Sequence, residues 1–181
     1  MIRRICFFGG PSSGKSTMAS HVFAALKTSG FNVELSYEYV KDWTFLGNKP
    51  AGFDQVYILA KQIRKEDVIL RNSNAVVLTD CPVLLTPCYA RVYGIKAAHA
   101  LEEIALEFEK EYPSLSFFLN REGNVFKTDG RFQNEEQSQK IDNMILEMMI
   151  NNLNHWKKIQ FNEQEKAVSI CKDYLSQGPA G

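Results

Sequence analysis
The sequence carries no excess of either charge, since 21 basic residues offset 21 acidic ones. A chain so balanced sets up no global field that would draw nucleic acid to it, although a local basic groove stays compatible with the balance. Cysteines are few, with Cys6, Cys81, Cys88 and Cys171 scattered along 181 residues. They form no CxxC pair, and no histidine stands at a matching spacing, so neither a zinc site nor a disulfide framework is expected. Reduced thiols in a cytoplasmic protein are the expectation instead. Long apolar runs are also missing, and the longest spans only a handful of residues. That excludes a membrane-spanning helix, and "MIRRICFF" reads as a strand running into Gly9 and Gly10, not as a signal peptide. No internal repeat or low-complexity stretch is evident.

What remains is an ordinary globular composition, 45% hydrophobic and 23% charged, in a chain whose length fits one domain over residues 1–181. The first elements expected are a strand over Ile2 to Phe8, a helix over Lys15 to Thr28 that Gly30 ends, and a strand over Val33 to Tyr37. A helix over Asp54 to Arg71 follows, and the continuously apolar "AVVLT" reads as a strand buried on both faces. Pro82 fits the first turn of a helix reaching Tyr93, with a kink or late start at Pro87. Further on come a helix over Ala97 to Glu111, the strand "LSFFL" at 115–119 and a helix from Asn134 to Leu153. A short strand near Ile159 to Phe161 and a helix over Glu163 to Leu175 complete the pattern. Strands alternating with helices imply an α/β fold, a parallel sheet between helical layers.

Between the first strand and the first helix stands "GGPSSGKST". Gly9, Gly14, Lys15 and Ser16 meet the pattern GxxxxGK[ST] in full and in the right strand–helix context. Glycines let the backbone curl closely around phosphate, with N–H groups pointing inward and a helix N-terminus adding positive potential. The segment Gly9, Gly10, Pro11, Ser12, Ser13, Gly14, Lys15, Ser16 and Thr17 is therefore expected to bind ATP, with Lys15 on the β and γ phosphates and the Ser16 hydroxyl on magnesium. The bland alternative is a Gly/Ser-rich turn that caps a helix.

A GTPase would need an NKxD motif after a later strand, and the near match "NKPA" puts Ala51 where the acid belongs and comes too early. A large mechanical ATPase would need more length and a helical second subdomain. A small phosphoryl-transfer enzyme or a compact regulatory NTPase remains. A kinase needs an acid for the acceptor hydroxyl, an acid linked to magnesium, and cations over the transferring phosphoryl group. Glu38, in "LSYEYVKDW" at the end of the second strand, suits the first task, or it is simply a first-turn acid at a helix N-terminus. Asp80, after the buried strand in "VVLTDCP", has the Walker B position and suits magnesium; an N-cap role for the next helix is compatible with that. Arg121, Lys127 and Arg131 fall in "NREGNVFKTDGRFQNEEQ", whose residues 120–134 read as a lid over ATP or, more blandly, as a solvated loop.

Together "GGPSSGKST", "YEYVKDW", "LTDCP" and "TDGRFQNEE" resemble, in order and over most of the chain, the P-loop nucleoside and nucleotide kinases. The branch most similar is that of the ribosylnicotinamide kinase domain and its AAA ATPase-like, phage-encoded relatives, which include kinases of 5-hydroxymethyluracil in DNA. The resemblance implies a three-layer P-loop NTPase fold with a five-stranded parallel sheet in the order 2-3-1-4-5. It also implies ATP and magnesium as cosubstrates, transfer of the γ-phosphoryl group to a hydroxyl, and a substrate pocket near Glu38 and Asp80. The sequence departs from the thymidylate kinase pattern, lacking an acid–Arg pair in the loop and Asp-Arg-Tyr after the second strand. It departs from the deoxynucleoside kinases too, with Asp80-Cys81-Pro82 in place of Glu-Arg-Ser.

The acceptor is thus left among nucleosides, nucleotides and 5-hydroxymethyl pyrimidines, free or in DNA; the last requires a flipped or single-stranded base. Tyr37, Tyr39, Trp43, Phe45, Phe53 and Tyr57 crowd an irregular region where a base could stack, although core and lid packing explains most such aromatics. Gln62 and Arg64 either read a base edge or acceptor phosphate or lie on an exposed helix face. His21, His99 and His155 read as packing or surface residues. The rival from another class is a small regulatory ATPase or interaction protein with slow hydrolysis and no acceptor. Oligomeric state is left open.

Overall fold
The computed structural model of the protein describes residues 3–48, 50–121 and 135–176. Its elements are β1 (Arg4–Phe8), α1 (Lys15–Thr28), β2 (Val33–Ser36), α2 (Lys41–Phe45), α3 (Asp54–Asn72), β3 (Val76–Thr79), α4 (Leu85–Val92), α5 (Ala98–Glu111), β4 (Ser114–Asn120), α6 (Glu135–Asn152), β5 (Trp156–Gln160) and α7 (Gln164–Ser176). The strands form one five-stranded parallel sheet in the order β2-β3-β1-β4-β5. That is the order the family resemblance implies.

Side chains alternate across a strand, so β1 divides its residues between two helical layers. Cys6 and Phe8 join a buried cluster with residues of α3, α4, α5 and α6, while Ile5 and Phe7 join one with residues of α1 and α7. Phe7 stacks on Phe117 of β4, with ring centroids 5.4 Å apart. A central strand buried on both faces needs an unbroken apolar run, and "ICFF" and "LSFFL" supply it apart from one small serine.

A charged pair, Arg4 and Glu66, is fully inside. Arg4 is 1% exposed; its Nε donates to Glu66 Oε2 at 2.8 Å and its Nη1 to Glu109 Oε2 at 2.5 Å and to the Tyr112 carbonyl at 2.9 Å. Its guanidinium also lies 4.8 Å from the centroid of the Phe108 ring. Burial works against the charge, but Cys6, Glu66 and Glu109 around it together outweigh burial and raise the pKa of Arg4.

Three elements differ from the sequence expectation. The helix expected from Pro82 begins at Leu85, after a turn in which Leu85 N–H donates to the Pro82 carbonyl. Pro87 therefore sits in the first turn, where a missing N–H costs nothing. The last strand covers Trp156–Gln160 instead of 159–161, because its exposed Lys157 and Lys158 interrupt the apolar pattern as lysines do on sheet edges. The short α2 lies where an irregular stretch is expected.

Candidate nucleotide and phosphoryl-transfer site
Parallel pairing places Ser36 of β2 beside Thr79 of β3, and Thr79 beside Cys6 of β1. The chain beyond each of these strands therefore emerges at one carboxyl edge of the sheet, which brings the loop after β1 together with Glu38 and Asp80. The loop leads into α1 at Gly14, whose φ of 93° is left-handed. A side chain there would also meet the Phe161 ring at 2.2 Å, so glycine is required twice over. The N-terminus of α1 has no side-chain cap and no acid in its first turn, so its positive dipole end suits an anion. Ser12 is held at φ 65°, a left-handed conformation uncommon outside glycine.

Ser16 and Asp80 meet directly. The Ser16 hydroxyl donates to Asp80 Oδ2 at 2.5 Å, and the backbone N–H of Glu38 donates to Asp80 Oδ1 at 3.1 Å. Asp80, 2% exposed, thus joins the phosphate loop to the second acid. The side chain of Glu38 bears on Cys81 and Tyr89 of α4. Burial raises the Cys81 thiol well above its ordinary pKa, with Glu38 and Asp80 adding to the effect and Lys15 opposing it. Burial raises the Tyr89 hydroxyl too, with Glu38 the next contributor and Asp142 a smaller one. The phosphate loop, both acids and Tyr89 therefore share one neighbourhood.

Lys15 folds back so that its Nζ donates to the Gly10 carbonyl at 2.9 Å. The N–H of Gly10 donates to Asp142 Oδ1 at 2.5 Å, and Arg121, just beyond β4, donates through Nε to the other oxygen of Asp142 and through Nη2 to the Ser138 carbonyl at 3.4 Å. Arg121 thereby lies against the loop, held by α6. Lys127 and Arg131 lie outside the described residues.

Asp142 and Phe161 are residues that reasoning from the sequence did not find. They stand far along the chain from the loop, so no local spacing exposes them. The one available signal is the polar pair Ser138 and Asp142, one helical turn apart beside the apolar positions Ile141 and Ile145 of α6.

Gln62 corrects another expectation. It is not on an exposed face but is 1% exposed, with Nε2 donating to Ser36 Oγ and Glu66 Oε1, each at 3.2 Å. Arg64 is exposed. The aromatics between Tyr37 and Tyr57 are not ordinary core, since Phe45 and Phe53 are 70% and 78% exposed. The Tyr39 hydroxyl donates to that of Tyr57 at 3.0 Å, Trp43 stacks on the Tyr57 ring, and Lys61 and Lys65 lie over the Tyr57 and Tyr39 rings. The three histidines are exposed, in line with surface roles.

Among the described residues no helix is long and apolar enough to cross a membrane, and no three His, Cys, Asp or Glu side chains gather as a metal cage. The pair that does fit a hard cation is the Ser16 hydroxyl and the Asp80 carboxylate. Magnesium commonly binds so, with few protein oxygens and a shell completed by nucleotide phosphates and water.

A family model described as an AAA domain matches residues 4–165. The chain belongs to this family. Two solved structures of NadR proteins share the fold. One, in complex with NAD and AMP-PNP, has a TM-score of 0.73, and the other, in complex with NR, has 0.67. Each is 14% identical, and each alignment covers 97% of this chain but 50% of the NadR chain, so the protein spans half the length of these relatives. No curated protein matches the chain. The chain thus has an α/β P-loop NTPase-like fold, shared with these NadR structures, as the motifs lead one to expect.

Proposed function
We propose that the protein is an ATP-dependent kinase that transfers the γ-phosphoryl group to a hydroxyl of a nucleoside, a nucleotide or a 5-hydroxymethyl pyrimidine, free or in DNA. The observation that carries this reading is the hydrogen-bonded unit of Ser16, Asp80 and Glu38. It joins the phosphate loop to an acid suited to a cation and to a second acid that bears on Cys81 and Tyr89. The AMP-PNP complex of a NadR protein supports a nucleotide donor.

In the reaction, Glu38 orients the acceptor hydroxyl and takes its proton as the oxygen–phosphorus bond forms; the bond between the γ-phosphorus and the bridging oxygen breaks, and ADP leaves. Lys15, the loop N–H groups and Arg121 hold the phosphate charge, and Arg131, outside the described residues, is assigned the same task from the lid at 120–134. Magnesium, held by Ser16 and Asp80, would supply neutralisation of the β and γ phosphate oxygens. The exposed rings of Tyr37, Phe45 and Phe53, in the stretch of chain between β2 and α3 that also carries Glu38, suit stacking of the acceptor base.

Incubation with ATP labelled at the γ phosphate and a panel of nucleosides, nucleotides and oligonucleotides bearing 5-hydroxymethyl pyrimidines tests the reading. A labelled acceptor is the expected result. No labelled product from any of them, together with ATP hydrolysis that a partner stimulates, would replace it with the regulatory ATPase.

A further inference from the structure
We infer that Asp142 of α6 is a positioning residue for both cations at the phosphate loop, Lys15 and Arg121. This rests on the reading above that the loop binds ATP. A carboxylate has two oxygens, and here each serves a different element: Oδ1 accepts the N–H of Gly10 and Oδ2 accepts Nε of Arg121. Gly10 is also the residue whose carbonyl receives Nζ of Lys15. A continuous chain of hydrogen bonds therefore runs from Arg121 through Asp142 and Gly10 to Lys15, tying the two cations to one residue of the loop.

Burial makes the arrangement stiff. The side chains of Arg121 and Asp142 are 16% and 13% exposed, so water competes weakly for either charge, and a charge-assisted pair so shielded is stronger than one at the surface. Asp142 also comes from a firmly packed element. Ile141, Ile145, Met148 and Met149 of the same helix are buried in the core cluster between α6 and the sheet. The close approach explains the second glycine of the loop, because a side chain at Gly10 would meet Asp142 Oδ1 at 2.8 Å, Arg121 Nη2 at 2.9 Å and the Ser138 carbonyl at 2.9 Å. The backbone of Gly10 needs no left-handed φ, so it is contact with this pair that demands glycine there.

The chemical consequence is preorganisation. A free arginine would lose side-chain entropy each time it met phosphate, whereas one already fixed against the loop has lost it on folding. Asp142 then acts through Arg121 and Gly10 and touches no substrate itself.

Calorimetric titration of the full chain with AMP-PNP and magnesium, beside thermal unfolding, tests this with Asp142→Asn, Arg121→Gln and the double variant. Each single variant is expected to bind about 10-fold more weakly, and the double no more weakly than the worse single, because both changes break one coupled unit. Melting temperatures of the single variants should stay within a few degrees of the parent. Wild-type affinity in Asp142→Asn would overturn the inference, as would losses that multiply in the double variant, or an affinity loss that merely follows a collapse in stability. If the parent chain bound no AMP-PNP, the nucleotide reading itself would fall, and this inference with it.

Discussion

The Ser16 hydroxyl and the Asp80 carboxylate lie 2.5 Å apart, joining the first turn of α1 to the end of β3. Strand pairing brings the two elements together, since β3 lies directly beside β1 in the sheet and β1 leads into the loop. The hydroxyl, the acid and the backbone of Glu38 form one hydrogen-bonded unit, and in the proposed reaction such a prearranged unit would need little reorganisation.

Asp80→Asn keeps the shape of that unit and removes its charge. Turnover is expected to fall by about 10²-fold or more, the usual scale for loss of one preorganised electrostatic partner. The magnesium concentration for half-maximal rate should rise at the same time. An initial-rate titration with magnesium at saturating ATP measures both, and an unchanged curve would reduce Asp80 to a structural link between Ser16 and Glu38, since the next helix starts only at Leu85 and Asp80 does not cap it.

Lys15→Ala and Glu38→Gln separate donor from acceptor. Lys15 belongs to the phosphate loop, so its loss should weaken ATP binding and nearly abolish turnover. Glu38→Gln should lower kcat by about 10²-fold, the scale of general base catalysis, while the affinity for ATP stays within a few-fold. Full transfer activity in Glu38→Gln would leave Glu38 a structural role only.

The sheet, its order and the glycine-rich loop were legible because their signals are local or rest on a resemblance whose motifs sit at strand ends. Asp80 could be placed beside the loop on the condition that its strand neighbours β1, the order that the resemblance implies and the sheet has. Asp142 was not legible, because an acid on a helix face reads as solvated until the fold turns that face toward Gly10. Arg4 was hidden for the opposite reason. An arginine within a strand looks like an interruption of the core, and its partners Glu66 and Glu109 lie on helices that look amphipathic in isolation. Gln62 was misread in the same way, as its burial depends on Ser36 and Glu66, which only packing brings near.

Gly14→Ala combines backbone strain with a clash. The left-handed φ of 93° costs a non-glycine residue roughly 1–3 kcal/mol, and the added methyl also meets Phe161 at 2.2 Å. The variant should melt several degrees lower and lose nucleotide binding. Adding Phe161→Ala relieves the clash but not the strain, so only part of the stability should return in a thermal melt. Complete recovery would show that the backbone conformation is not needed.

Arg4→Met leaves Glu66 and Glu109 facing a hydrophobic side chain in the interior. Breaking a buried pair on one side costs about 3–5 kcal/mol, whereas replacing both sides by packed apolar groups often costs little. Chemical denaturation should therefore show a large loss for Arg4→Met and a smaller one once Glu66→Leu is added. A double variant less stable than the single would mean that Glu66 stabilises the fold chiefly through its other partner, Gln62.

The buried thiols set an alkaline limit on stability. Burial pushes Cys88 and Cys171 up to about 12 from an ordinary 9.0, with Glu102 adding to the shift at Cys88 and Arg91 opposing it. The unfolded chain releases these protons at lower pH than the folded one, so across that window the native state binds more protons than the denatured state. Stability then falls as pH rises from the ordinary value toward about 12, and below that window these groups have no effect. Urea midpoints measured at neutral pH and again midway through the window should drop. Cys171→Ala should make the drop shallower, whatever the substitution costs at neutral pH, because one of the titrating groups is gone. Equal slopes for parent and variant would show that the Cys171 thiol does not titrate differently in the two states.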